Sequence, residues 1–181
     1  MEFVPDIEAV LTLLNLEQIR DCLARYCRGM DRRDMEMIRS IYWPDATDQH
    51  GSFRGSPDEY IDWIEPLLGG FELTQHFLGQ NLIRIEDSEA SAETYYNAYH
   101  RLSAADGRIE VYLWGRYLDR FENRHGIWKI TNRLVVCDGY RQNEAVADGW
   151  ESFPFGPVPA NSTGKGIDDP SSFFWNFASS S

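Results

Sequence analysis

Apolar positions Leu16, Ile19, Leu23, Tyr26 and Met30 recur at steps of three and four, the signature of one buried helical face. Asn15 followed by Gln18 reads as the start of that helix, with a capping side chain and a polar residue placed to reach back. The pattern predicts an end near Gly29–Asp31. A short second helix is predicted from Asp34, its cap, with Met37, Ile38, Ile41 and Tyr42 inward and Pro44 closing it, and a short strand at 45–50. Ser56-Pro57-Asp58-Glu59 is the clearest helix start in the chain: capping serine, proline in the first turn, glutamate three after the cap. This third helix is predicted to run to Glu65, before Pro66, with Gly69-Gly70 as a loop. The period then changes to two. Segments 73–86, 90–104, 109–122 and 127–141 are rich in Tyr, Trp, Ile, Val and Thr. Asp106-Gly107 is a hairpin signal and Asn123–Gly126 a second turn. Helices first and strands after predict an α+β fold, three N-terminal helices packed on a strongly curved antiparallel sheet, a cone-shaped half-barrel with an open mouth.

Residues 143–181 break the pattern. They are rich in Gly, Pro, Ser and Asn, yet carry Trp150, Phe153, Phe155, Phe173, Phe174, Trp175 and Phe177. A flexible tail lacks such aromatics. The reading is a cone domain over 1–142 and an aromatic-rich tail over 143–181, packed on its own domain, closing the mouth as a lid, or lying on another subunit. The broad, thinly covered outer face of such a sheet predicts a homodimer or homotrimer.

At 181 residues the chain is one domain with enough core to need no disulfide or metal for stability. Its net charge of −12 repels phosphate backbones and anionic lipids, so neither nucleic acid nor a membrane surface is an expected partner. No secretory leader is apparent, and three cysteines, Cys22, Cys27 and Cys137, are too few and odd in number for a disulfide scaffold. They are expected to be buried small hydrophobes in a cytoplasmic protein.

Phosphate-binding glycine loops, dinucleotide fingerprints, serine elbows and two-cysteine zinc spacings are absent from the sequence, and no cofactor is expected. Of four histidines, His125 falls in a predicted turn. His50 follows Asp45 and Asp48; on a strand it shares a face with Asp48 and not Asp45, which leaves a metal there short of a ligand. His76 and His100 lie within long strands, where an imidazole needs a partner. Asp31 sits where the first helix meets the sheet, and Asp34 already caps the next helix. Asp31 can therefore turn toward a strand histidine, and a carboxylate-held imidazole makes a general base.

The ordered set Ile19-Arg-Asp, Gly29-Met-Asp31, Ile41-Tyr-Trp-Pro-Asp-Ala46, Gly55-Ser-Pro, Thr74-Gln-His76, Asn81-Leu and Gly126-Ile-Trp-Lys-Ile130 resembles the SnoaL-like proteins of the nuclear transport factor 2-like superfamily over about residues 8–141. Within that family, Asp31 and His76 match the catalytic pair of hexachlorocyclohexane dehydrochlorinase, and Arg133 its active-site arginine. Tyr26 departs from that enzyme and resembles the tyrosine of bile-acid dehydratases. His100 compares loosely with the second histidine of scytalone dehydratase. The resemblance implies a cofactor-independent lyase that catalyses elimination; the aromatic-rich strands and tail suit an apolar ring-bearing substrate, and dehydration, dehydrohalogenation and retro-aldol cleavage all fit such machinery. His76 is then the base, Asp31 its support, Tyr26 a proton donor and Arg133 the stabiliser of negative charge. Tyr42, His100, Trp114 and Arg116 are expected to line the substrate pocket. The competing reading is a ligand-binding or structural cone-fold protein in which the pair only fixes the first helix to the sheet.

Overall fold

The computed structural model describes residues 6–105, 107–144 and 169–171. Helix α1 spans Ile7–Arg32, α2 Met35–Ser40 and α3 Pro57–Gly70. The strands are β1 (Tyr42–His50), β2 (Phe53–Gly55), β3 (Phe71–Glu86), β4 (Glu89–Ala104), β5 (Gly107–Arg124) and β6 (Ile127–Glu144). The four long strands fall where the period-two segments predict them, and each is extended by one to three residues at one or both ends. They form one open six-stranded sheet in the order β2-β1-β6-β5-β4-β3. Helix α3 packs on β1 and β2 and also on β3, at opposite ends of that order, so the sheet bends around it.

One pairing differs from the all-antiparallel expectation: β1 runs parallel to β6. The helix and three long strands between them give the chain the length that a parallel return requires. The β1–β2 hairpin was not signalled in the sequence; it turns at Gly51, whose φ of 61° suits glycine.

Helix α1 begins at Asp6, whose side chain accepts from the Glu8 N–H at 3.0 Å, well before the expected Asn15. Residues 7–14 contain neither Gly nor Pro, so nothing stops the helix from extending, and Asn15 instead accepts a hydrogen bond from Trp128 Nε1 at 3.0 Å. Ile7, Leu11, Leu13 and Leu14 on this extension are exposed. The helix closes at Arg33, which is left-handed at φ 56°. Gly29 is there for closeness: a Cβ on it would lie 2.6 Å from Ile38 of α2. Asp34 caps α2 through the Met37 N–H, and α2 ends at Ser40, so Tyr42 belongs to β1 rather than to the helix. The Ser56–Glu59 capping box starts α3 as predicted. Pro66, expected to end the helix, lies inside it, and Gly69-Gly70 form its last residues; packing of Ile61, Ile64 and Leu68 on the sheet carries α3 through the missing hydrogen bond.

Strand parity decides which side chains face the helices. On β4, Ala90, Ala92, Thr94, Tyr96 and Ala98 are buried; on β5, Tyr117, Asp119 and Phe121. They join Ile19, Leu23, Tyr26, Ile38 and Tyr60 in one core. The His125–Gly126 turn has positive φ at both residues and is exposed, as expected. Asp106 and most of 143–181 lie outside the described residues. Within that stretch Asp169 pairs with Arg32 of α1 at 2.9 Å, and Ser171 accepts from Arg28 at 2.9 Å. Cys22 and Cys27 are buried, and burial pushes both thiols up to about 12. Cys137 is exposed, contrary to the expectation for all three. Among the described residues, no helix is long and apolar enough to cross a membrane.

Candidate active site

The end of α1 delivers Asp31 to the inner face of β3. Its Oδ1 lies 2.7 Å from Nδ1 of His76, and its Oδ2 accepts the His76 backbone N–H at 2.9 Å. One carboxylate thus holds both the ring and the main chain of the same residue. A carboxylate on Nδ1 favours the tautomer with the proton there, which leaves the Nε2 lone pair as the reactive one. Neither neighbouring arginine competes for this carboxylate: Arg32 pairs with Asp169, and Arg33 donates to the Gly69 and Phe71 carbonyls. The His76 side chain keeps 5% of its exposure and that of Asp31 11%.

His76 opens on a cavity of about 300 Å³ between the sheet and α3. His50 and His100 share its wall with Trp63, Phe71 and Leu113. The His100 ring meets that of His76 edge-on at 5.5 Å, stacks on Phe71 at 4.7 Å, and places Nδ1 2.9 Å from the Thr74 hydroxyl. The His50 ring stacks on Tyr60 at 5.4 Å. No arginine or lysine lines this cavity among the described residues. Nor do any three His, Cys, Asp or Glu side chains among them form a group able to hold a metal.

The structure brings together only some of the expected site residues. His76 and His100 meet at the cavity, and Asp31 holds His76 from behind its lining. Tyr26 lies beneath it, fully buried, with its hydroxyl 2.9 Å from that of Tyr60. Burial pushes the Tyr26 pKa well above the ordinary tyrosine value and so makes its hydroxyl a weaker acid, the nearby Arg133 only partly opposing this. Arg133 is also fully buried. Its Nε and Nη2 donate to Asp119 at 2.7 and 2.8 Å, and its guanidinium lies 4.1 Å from the Tyr26 ring and 4.5 Å from that of Tyr117. Burial alone would lower the Arg133 pKa; Asp119 outweighs it and holds the cation. Tyr42 is buried and donates to Asp48 Oδ2 at 2.6 Å. These three belong to the core under the cavity, not to its lining.

Trp114 and Arg116 point the other way. Val111 and Leu113 line the cavity, so residues one step out of phase must face outward. Trp114 is exposed beside Phe77 and Tyr95, and Arg116 pairs with Asp138 and Glu93. Among the liners that sequence reasoning missed are His50, weighed there only as a metal ligand, and Trp63, whose place on α3 is set by packing. Asp48 and His50 do share a face, with Asp48 Oδ1 3.8 Å from His50 Nδ1, while Asp45 turns out to Arg124.

Burial, then the neighbouring His76, lowers His100 to about 4; burial, Arg133 and the other two imidazoles lower His50 to about 3. Both rings are neutral at pH 7. An unfolded histidine titrates near 6.5, so as pH falls the unfolded chain takes up these protons first and stability is lost between about 6.5 and 4. At about 1.4 kcal/mol per pH unit, the His100 contribution reaches about 3 kcal/mol. Asp48 acts in the opposite sense, since burial lifts it to about 6 and the native state protonates first there. His100→Gln is expected to flatten the fall in thermal midpoint between pH 6.5 and 4. A wild-type slope retained in that variant contradicts the assignment.

A family model described as SnoaL-like domain matches residues 12–134. Over 121 residues the chain is 28% identical to subunit beta 2 of the terminal oxygenase component of terephthalate 1,2-dioxygenase from Comamonas sp, covering 66% of this chain and 72% of that one. Among solved structures, a type 2 hexachlorocyclohexane dehydrochlorinase superposes with a TM-score of 0.72 at 17% identity over 80% of this chain and 99% of the other. A Novosphingobium aromaticivorans protein assigned as a scytalone dehydratase gives 0.66 at 18% identity over 83% and 97%.

Proposed function

Since the chain belongs to the SnoaL-like domain family of the nuclear transport factor 2-like superfamily, we propose that it is a lyase that catalyses elimination on an apolar ring-bearing small molecule without a cofactor. The observation that carries this reading is His76 at the wall of a largely apolar cavity, its ring held by Asp31 at 2.7 Å. His76 Nε2 takes a proton from a carbon beside an electron-withdrawing group. Asp31 holds the ring and stabilises the imidazolium that forms, and the leaving group departs as the double bond closes. The same base serves loss of water, loss of halide or retro-aldol cleavage. Relatives that share the fold include a dehydrochlorinase and a protein assigned as a dehydratase. Tyr26 and Arg133 act from below: the stacked cation and its tyrosine set the floor of the site and do not touch substrate.

The test is exchange of α-hydrogen for deuterium, with cyclohexanone and 1-tetralone in D2O containing a chelator. Exchange above the buffer rate that depends on His76 supports the base. A rate equal to buffer for wild type overturns it and favours the other reading, a structural subunit, to which the likeness to a dioxygenase beta subunit and the sealed position of Tyr26 lend weight.

We propose further that the chain self-associates through the outer face of its sheet. Phe77, Tyr95, Tyr112 and Trp114 are exposed there, and a cluster of exposed apolar side chains on one face marks an interaction surface. Light scattering at micromolar concentration is expected to give a dimer or trimer mass; a monomer mass contradicts it.

A further inference from the structure

With Tyr26 sealed under the cavity, an oxygen leaving group needs another proton source. Strand β1 carries one. His50 Nδ1 lies 3.8 Å from Asp48 Oδ1, and both atoms are buried without a hydrogen-bond partner among the described residues, while Asp48 Oδ2 is occupied by Tyr42. Two such orphans side by side cost about 1–3 kcal/mol each unless a proton is shared between them. His50 resembles His76 in having Nδ1 turned to a carboxylate and its ring at the cavity wall, but the contact is 3.8 Å rather than 2.7 Å, with no hydrogen bond yet made. The two units enter from different parts of the sheet, since β6, β5 and β4 separate β1 from β3. His100 is no substitute, because among the described residues its Nδ1 meets the Thr74 hydroxyl and no carboxylate with which to store a proton.

We propose that His50, backed by Asp48, is a second catalytic residue, the acid that protonates a departing oxygen, and that it biases the site toward hydroxyl over halide leaving groups. The proposal rests on the reading of His76 as base. In the step, His76 Nε2 takes the carbon-bound proton and that electron pair becomes the new π bond. The carbon–oxygen bond breaks, the oxygen takes the Nε2 proton of His50 and leaves as water, and the proton held on the Asp48 carboxyl passes to His50 Nδ1, so the ring stays neutral. His76 is then an imidazolium and the Asp48–His50 unit is one proton short; water returns the proton from the first to the second. Burial supports the storage, lifting Asp48 to about 6 against the pull of Arg133 and the Tyr42 hydrogen bond. Among the described residues, the cavity lining also has no cation to receive a halide.

The experiment compares 3-hydroxycyclohexanone with 3-chlorocyclohexanone, both giving cyclohexenone, followed by its ultraviolet absorbance. A positioned acid contributes about 10²–10⁴-fold, and chloride leaves without a proton. His50→Gln is expected to raise the ratio of chloride to water elimination by about 10²-fold or more, and Asp48→Asn to shift it the same way by less. The ratio is internal to the folded molecules, so a partly unfolded preparation does not alter it. An unmoved ratio in both variants, or a wild type that eliminates chloride but no water, overturns the proposal. Deuterium exchange into cyclohexanone reads His76 separately. Exchange with an unmoved ratio removes the role of His50 alone, whereas absence of exchange removes the base as well.

Discussion

His76→Ala is expected to lower turnover by at least about 10³-fold and to shift the thermal midpoint by only a few degrees. A positioned general base is worth about 10²–10⁴-fold, and the variant also loses the imidazolium that Asp31 stabilises. The structural cost is small because Asp31 keeps its hydrogen bond to the main-chain N–H of residue 76 and the vacated space joins a cavity that already exists. One lost side-chain hydrogen bond costs about 1–2 kcal/mol. Asp31→Asn is expected to cost less than His76→Ala if aspartate only orients the ring, although a wrong tautomer alone can cost about 10⁴-fold. Kinetics and a melting curve on the same preparations decide it: large losses in both mark the pair as a strut of the fold, whereas unchanged turnover removes His76 from the mechanism.

Asp119→Asn is expected to have the opposite profile, a large loss of stability with turnover of the folded fraction largely kept. The substitution preserves shape and removes the charge that holds Arg133, which sits at 0% exposure with its Nη1 already lacking a partner among the described residues. Stranding a buried cation costs about 3–5 kcal/mol. For a chain of this size that is a drop on the order of 10 °C in thermal midpoint. A drop below about 2 °C, equivalent to under about 1 kcal/mol, would show that the cation finds compensation elsewhere, as from Asp48, which is paired with it in the β1–β6 register.

Periodicity located the elements because one face of each is buried: the long strands were legible to within three residues at either end. It failed where burial gives no signal. The first two turns of α1 are exposed, so their apolar residues show no core-facing pattern. Pro66 reads as a stop, yet α3 continues because its packed face outweighs one missing hydrogen bond. The meeting of Asp31 and His76 was reachable because a helix end and a strand position each fix a direction. Trp114 and Arg116 were misplaced because alternation separates two faces of a strand without saying which is inner. Tyr26 and Arg133 show a different limit. Resemblance assigned them to a site, but depth below a cavity floor depends on the stacking of Arg133 between two tyrosines, which no local pattern encodes.

The position of β6 between β1 and β5 sets the order in which the molecule can be completed. The hairpins β3–β4, β4–β5 and β5–β6 each join neighbours in sequence and can zip as the chain emerges. Strand β1 has no long partner until β6, some eighty residues later, lies down beside it. Closing so distant a contact is slow relative to hairpin formation. During synthesis the histidine on β1 therefore waits for the last strand, whereas Asp31 and His76 can meet as soon as α1 docks on β3. The half of the cavity that takes a proton from carbon is built early, and the half that gives one to oxygen is built last.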